Sequence, residues 1–165
     1  MPFIYKGNLN SNGGRQMVEV ALGSGLTFTK GDAVRIVLGS LGLAGAGNTV
    51  FGILEGFKTA TGALLTDNGA GGDFTDTYTT PASNTVLGVV DVSHESIYSV
   101  NTDAAVGTTT DSGDPGLNFD IPAGSDSIDE DTGTATTAQF FSFGADPSAA
   151  TTRLLVKIQE SQIKI

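Results

Sequence analysis

Apolar runs in this sequence are short and are bounded by turns, and this pattern limits the folds that the chain can adopt. Two such runs, Ala33–Leu38 and Val50–Leu54, flank a connection made largely of Gly, Ala and Ser. Each run has the usual length of a strand and is too short for a typical helix. Branched and aromatic side chains dominate the runs and suit a half-buried pleated surface. We therefore predict a strand, a wide connection and a second strand within Lys30–Phe57.

Similar apolar runs recur along the rest of the chain and predict further strands. Arg15–Leu22, Asn84–Val100 and Arg153–Ile165 each contain alternating apolar residues, as expected for strands with one buried face. Gly88, in the middle of the second of these runs, indicates a bulge or close packing. Thr59–Ser83 is predicted to be a long irregular loop. Val18, Val20 and Leu22 form the better core face of the first run, and Leu154, Val156 and Ile158 share one face of the last.

The composition favours an all-β protein. The chain has 165 residues with 23 Gly, no Cys and no Trp, and residues that favour helices are scarce. We predict a single β-sandwich or barrel-like domain over residues 15–165, with long Gly/Thr/Asp-rich loops, preceded by an extended N-terminal arm over residues 1–14. The sequence shows neither a signal peptide nor an apolar run long enough to cross a bilayer, so we expect synthesis in the cytoplasm and no membrane partner.

The N-terminal arm carries the residues that we predict to bind a partner. Its apolar start is followed by Asn, Ser and Gly, so it cannot pack well alone. We expect it to dock either on a neighbouring molecule or on the edge of its own sheet. We further expect that deleting the arm, residues 1–14, abolishes binding of the protein to its partner particle and leaves the fold intact. The predicted partner-binding residues are Phe3, Ile4, Tyr5 and Lys6 in the arm, together with Arg15, the first residue after it.

Charge is distributed unevenly along the chain, whose net charge is −10. The segment between Thr59 and Thr152 contains no basic residue and holds 14 of the 18 acids. The eight basic residues and the other four acids lie in the two flanks, which together carry +4. An acidic middle segment repels phosphates, so we expect no nucleic-acid partner.

No residue pattern identifies catalytic chemistry. His94 is the only histidine, and its neighbours Ser93 and Glu95 would point away from it in a strand, so the three cannot form a relay. The many carboxylates leave a two-carboxylate hydrolase open, although they lie in Gly- and Thr-rich loops. The acidic cluster Asp126–Asp131 is a candidate cation loop that lacks the residue order of a helix–loop–helix calcium site. We predict a non-enzyme with no catalytic residues, no cofactor and no assigned metal site.

Three segments in order carry a resemblance to a known family: KGDAVRI, FGILEGF and VLGVVDV, within Thr29–Val92. They resemble the head decoration (cement) proteins of tailed bacteriophages. The resemblance implies a homotrimeric structural protein that stabilises the outside of a capsid, with the major capsid protein as its partner and the virion exterior as its location. The alternative is a trimeric phage tail-fibre or receptor-binding module, which would also be β-rich.

Overall fold

The computed structural model describes residues 3–10, 14–63, 76–83, 85–103, 105–106, 114–122, 127–129, 139–149 and 152–159. Within these ranges the protein is all-β and sandwich-like, with no helix and no closed barrel. The strands are β1 (Phe3–Asn8), β2 (Met17–Ala21), β3 (Thr27–Thr29), β4 (Ala33–Val37), β5 (Ser40–Leu43), β6 (Gly52–Thr59), β7 (Thr77–Thr79), β8 (Val86–Asp91), β9 (Ser96–Thr102), β10 (Asn118–Phe119), β11 (Ser127–Ile128), β12 (Phe140–Ala145) and β13 (Arg153–Ile158).

The described strands form two large sheets and one small one. Sheet I has the order β1-β9-β13-β12-β10, and β11 pairs in parallel with β9. Sheet II has the order β2-β8-β6-β4-β5, and the pairings within this order are antiparallel. The short strands β3 and β7 pair with each other. The chain passes from sheet II to sheet I between β8 and β9, so the residues of that connection lie where the two sheets meet.

Sheet II has apolar clusters on both of its faces. In β6, Ile53 belongs to the core that sheet I covers, whereas Leu54 belongs to a second core with Phe28 and Phe57. The same division is found in β4, where Ala33 belongs to the first core and Val34 to the second. Successive strand residues point to opposite faces. Burial on both faces therefore explains why Ala33–Val34 and Ile53–Leu54 are apolar pairs in which apolar and polar residues do not alternate.

Strands with one buried face confirm the alternating pattern. In β13, Leu154, Val156 and Ile158 are buried and the residues between them are half-buried. In β2 the face that was predicted to point outward is exposed, and Val18 and Val20 are half-buried. Close packing at Gly88 is also confirmed: a Cβ atom there would lie 2.6 Å from Leu41 Cδ1.

Two connections differ from the sequence prediction. The prediction of a wide connection after Ala33–Leu38 is wrong. Instead, β4 turns directly into β5 through Leu38 and Gly39, whose φ angles are +50° and +83°. Positive φ at both central residues is the pattern of a two-residue hairpin turn. The long loop predicted for Thr59–Ser83 contains β7, which pairs with β3 through facing threonines. Residues 64–75 of that loop lie outside the described residues.

Candidate functional site

The N-terminal strand β1 lies at the edge of sheet I and pairs antiparallel with β9. Phe3 is 2% exposed; its ring stacks on Phe140 at 5.0 Å and meets Tyr98 edge-on at 6.2 Å. The Phe3 side chain therefore belongs to the core of its own chain, which corrects the prediction that it contacts another molecule. Two docking modes were expected for the arm, and in this single chain the arm docks on the edge of its own sheet.

The placement of β1 changes the expected effect of deleting the arm. Residues 3–8 complete sheet I and bury Phe3, so their removal would open the core instead of leaving the fold intact. Two of the predicted partner-binding residues remain accessible: Ile4 is 38% exposed and the Lys6 side chain is 39% exposed. Lys6 Nζ lies 3.2 Å from Asp146 Oδ2, at the point where β1 bulges. Their role in binding a partner stays a prediction.

Arg15 fastens β1 to sheet II. Its Nε atom donates to Asp91 Oδ2 at 2.7 Å, and its guanidinium carbon lies 4.0 Å from the centre of the Tyr5 ring. Its Nη2 atom forms an ion pair with Glu55 without meeting the geometry of a hydrogen bond. Together with Tyr98 these residues form what we call the Arg15 clasp, which joins β1, β6, β8 and β9 and thus both large sheets.

Asp91 is the centre of the Arg15 clasp and is completely buried. Besides Arg15, its Oδ2 atom accepts from Tyr98 OH at 2.6 Å and from Ser96 Oγ at 2.8 Å. Its Oδ1 atom accepts from the backbone N–H of Ser93 at 2.9 Å. A buried charge is tolerated only when it is paired and hydrogen-bonded, and this carboxylate meets both conditions.

The pKa shifts in the clasp indicate a structural network. Burial, followed by the negative charge of Asp91, raises the pKa of Tyr98 well above its usual value, so the phenol keeps its proton. Burial lowers the pKa of Arg15, but the Asp91 and Glu55 carboxylates outweigh that effect and raise it overall. Burial raises the pKa of Glu55, and the charge of Arg15 opposes the rise. The Tyr98 phenol and the Arg15 guanidinium, whose pKa values are both raised, therefore keep their protons near neutral pH.

A second polar network fastens the start of β13 to β9. Ser99 Oγ donates to Asp146 Oδ2 at 2.5 Å and accepts from Arg153 Nε at 2.7 Å. The hydrogen bond from Ser99 is the main cause of a lowered pKa at Asp146, to which hydrogen bonds from Ser148 and from Lys6 also contribute. Lys6 therefore links β1 to this network on the side of the strand opposite to the core.

The sequence did not single out Asp91 or Asp146 as partners of the predicted basic residues. One signal was present: Asp91 ends an otherwise uncharged strand on the same face as Leu87 and Val89. An isolated acid at the end of an apolar strand requires a basic or hydroxyl partner when it is buried. Its partner Arg15 lies 76 positions away, too far along the chain for a local pattern to show.

The other sites considered from the sequence give no catalytic arrangement in the described part of the chain. His94 is half-buried in the turn between β8 and β9, while the neighbouring Ser93 Oγ accepts from the backbone N–H of Glu95 at 3.3 Å. No group of three or more His, Asp or Glu residues that could hold a metal occurs among the described residues. The acidic cluster Asp126–Asp131 is described only at residues 127–129, so the cation hypothesis lies largely outside the described ranges.

Comparison with known proteins gives no assignment. No protein-family model matches the chain, and no curated protein matches it either. No helix in the described ranges has the length and apolar character needed to span a membrane.

Proposed function

We propose that this protein is a structural virion component that decorates and stabilises a phage capsid from the outside as a homotrimer. The observation that supports this proposal best is the use of its buried polar side chains. Asp91, Ser96, Ser99 and Asp146 are all buried, and each is engaged in tying one strand to another. A protein that uses these four buried polar side chains to fasten its strands together is suited to passive mechanical work.

Three further features support a decorating role. The sequence resembles that of cement proteins along Thr29–Val92, and the N-terminal strand leaves Ile4 and Lys6 accessible at a sheet edge. Sheet edges accept strands from other chains, which supplies backbone hydrogen bonds. A trimer would present three such edges to a capsid at once, so weak single contacts would act together at high effective concentration. The acidic middle segment would keep the outer surface soluble.

The proposal is tested by imaging tailed-phage capsids that carry the major capsid protein and lack this chain, after incubation with the purified protein. We expect density at regular three-fold positions of the shell. Ile4→Asp should reduce the apparent affinity about tenfold, the loss expected when one apolar side chain no longer becomes buried. Met17→Asp is the matched control, because Met17 has similar exposure (42%) but lies in β2 of sheet II.

Two results would count against the proposal. If capsids do not bind the protein at any concentration, the decorating role is rejected. If Ile4→Asp and Met17→Asp occupy the capsid equally, the role of Ile4 in binding is rejected. Attachment to host cells in place of capsids would favour a receptor-binding module.

A further inference from the structure

The β4–β5 hairpin ends in an apolar tip that the fold itself does not use. Leu38 is fully exposed (102%), and the preceding residues Ile36 and Val37 are 44% and 40% exposed. We define these three residues as the apolar tip. Clustered exposed apolar side chains on a soluble domain commonly mark an interaction surface, whereas single ones need no explanation.

The backbone at the tip gives a second, independent reason to assign it a role. Leu38 has a φ of +50°, in the left-handed region that leucine adopts only under strain. It occupies the first central position of a two-residue hairpin turn, where Asn, Asp and Gly are the preferred residues. A leucine here therefore makes the turn less favourable and exposes a large apolar side chain. Strain of this kind is found where function requires it.

The segments around the tip carry no acidic residue. Ile36 pairs with Leu41 in β5, and the carbonyl of Leu41 accepts from the backbone N–H of Gly23 at 2.8 Å. Leu26, which is 36% exposed, lies beside Gly23. Residues 20–29 and 33–54, which include these contacts, contain no acidic residue, and Arg35 is their one charged residue.

We infer that the apolar tip is the surface through which copies of this chain associate around a symmetry axis. Each copy carries a net charge of −10, so two copies repel each other wherever acidic surfaces meet. An end that lacks carboxylates and carries exposed leucine, isoleucine and valine is where copies can bury apolar area without bringing carboxylates together. A closed symmetric assembly brings the same patch of every copy to the axis. This inference rests on the oligomeric part of the proposed function and identifies its contact.

Leu38→Asn separates assembly from folding. Asparagine tolerates positive φ and is favoured in this turn, so the isolated copy should fold with unchanged or higher thermal stability. The association constant should fall about tenfold or more for each interface, which corresponds to ~1.4 kcal/mol or more. Leu9→Asn is the control, since Leu9 is also exposed (49%) but lies outside the tip. Mass would be measured by sedimentation equilibrium over a range of concentrations, with circular dichroism to verify folding.

We expect the wild type and Leu9→Asn to form oligomers and Leu38→Asn to dissociate to folded monomers. Unchanged assembly of Leu38→Asn would overturn the inference, as would a wild type that is monomeric at every concentration. If the wild type is monomeric and Leu38→Asn abolishes its binding to capsids, the tip contacts the capsid shell instead of another copy, and the inference is rejected. Conversely, dissociation of Leu38→Asn together with absence of wild-type capsid binding would uphold the inference and reject the proposed function.

Discussion

Replacing each carboxylate of the Arg15 clasp by its amide should have very different effects on stability. Asp91→Asn keeps the shape of the side chain, but it removes the charge that faces Arg15 and places an N–H group where oxygen accepted hydrogen bonds. The lost charged hydrogen bond is worth about 1.5–3 kcal/mol, and leaving one buried donor unsatisfied adds about 1–3 kcal/mol. We expect a total of about 3–5 kcal/mol, as for other broken buried ion pairs.

Glu55→Gln is the matched substitution, because Glu55 contacts the same guanidinium. Burial raises the pKa of Glu55, so the fold favours the neutral form of this group. A raised folded-state pKa means that the group's contribution to stability is largest below its unfolded pKa and is lost as pH rises through the folded value. Ionisation of Glu55 therefore adds no stability to the fold, and we expect Glu55→Gln to cost about 1 kcal/mol or less.

The two variants should be compared by thermal unfolding followed by circular dichroism, since the chain has no Trp to report on unfolding. For a domain of this size, a loss of about 3–5 kcal/mol corresponds to a fall in Tm of about 6–20 °C, against a few degrees for Glu55→Gln. Equal destabilisation by the two substitutions, or a larger effect at Glu55, would refute the view that Asp91 is the centre of the clasp.

Two further substitutions test the packing and the second polar network. Gly52→Ala should cost about 1–3 kcal/mol, because its Cβ atom would lie 2.5 Å from the backbone oxygen of Asp91, whereas Gly56→Ala in the same strand, with no atom within 4 Å, should be neutral or stabilising by up to about 1 kcal/mol. Urea midpoints that fall equally for both would contradict the packing described for β6. At Asp146 the lowered pKa means that its contribution to stability is complete above its unfolded pKa, about 4, and is lost as pH falls below it. Thermal melting at a series of pH values should therefore show a smaller acid-induced loss of stability for Asp146→Asn than for the wild type, and parallel curves would contradict this assignment.

The sequence was most informative where a strand buries one face only. The alternation of Leu154, Val156 and Ile158 predicted β13 and placed these residues on one face, and the structure buries that face in the core. The β4–β5 hairpin was missed because its turn begins with Leu38, a residue that seldom occupies positive φ. Without the Asn-Gly or Asp-Gly signal, the Gly- and Ser-rich residues that follow were interpreted as a loop.

The candidate site was predicted only in part, for a different physical reason. The sequence showed that Phe3, Tyr5 and Arg15 need partners, but partners that are distant in the chain leave no local periodicity. Arg15 meets Asp91 only because β8 ends where the two sheets join. Phe3 was assigned to a neighbouring molecule because its aromatic partners in β9 and β12 lie about a hundred residues or more further along the chain.

The pairing of β1 with β9 imposes a delay during synthesis. Phe3 pairs with Val100, so every strand of sheet II is translated before β1 has a partner. At about 5–20 residues per second this interval lasts roughly 5–20 s. Throughout that time the apolar side chains of β1 remain uncovered on the nascent polypeptide. Polysomes that carry several copies side by side would thus hold several unpaired β1 strands at once, and chaperone demand should be greatest in this window.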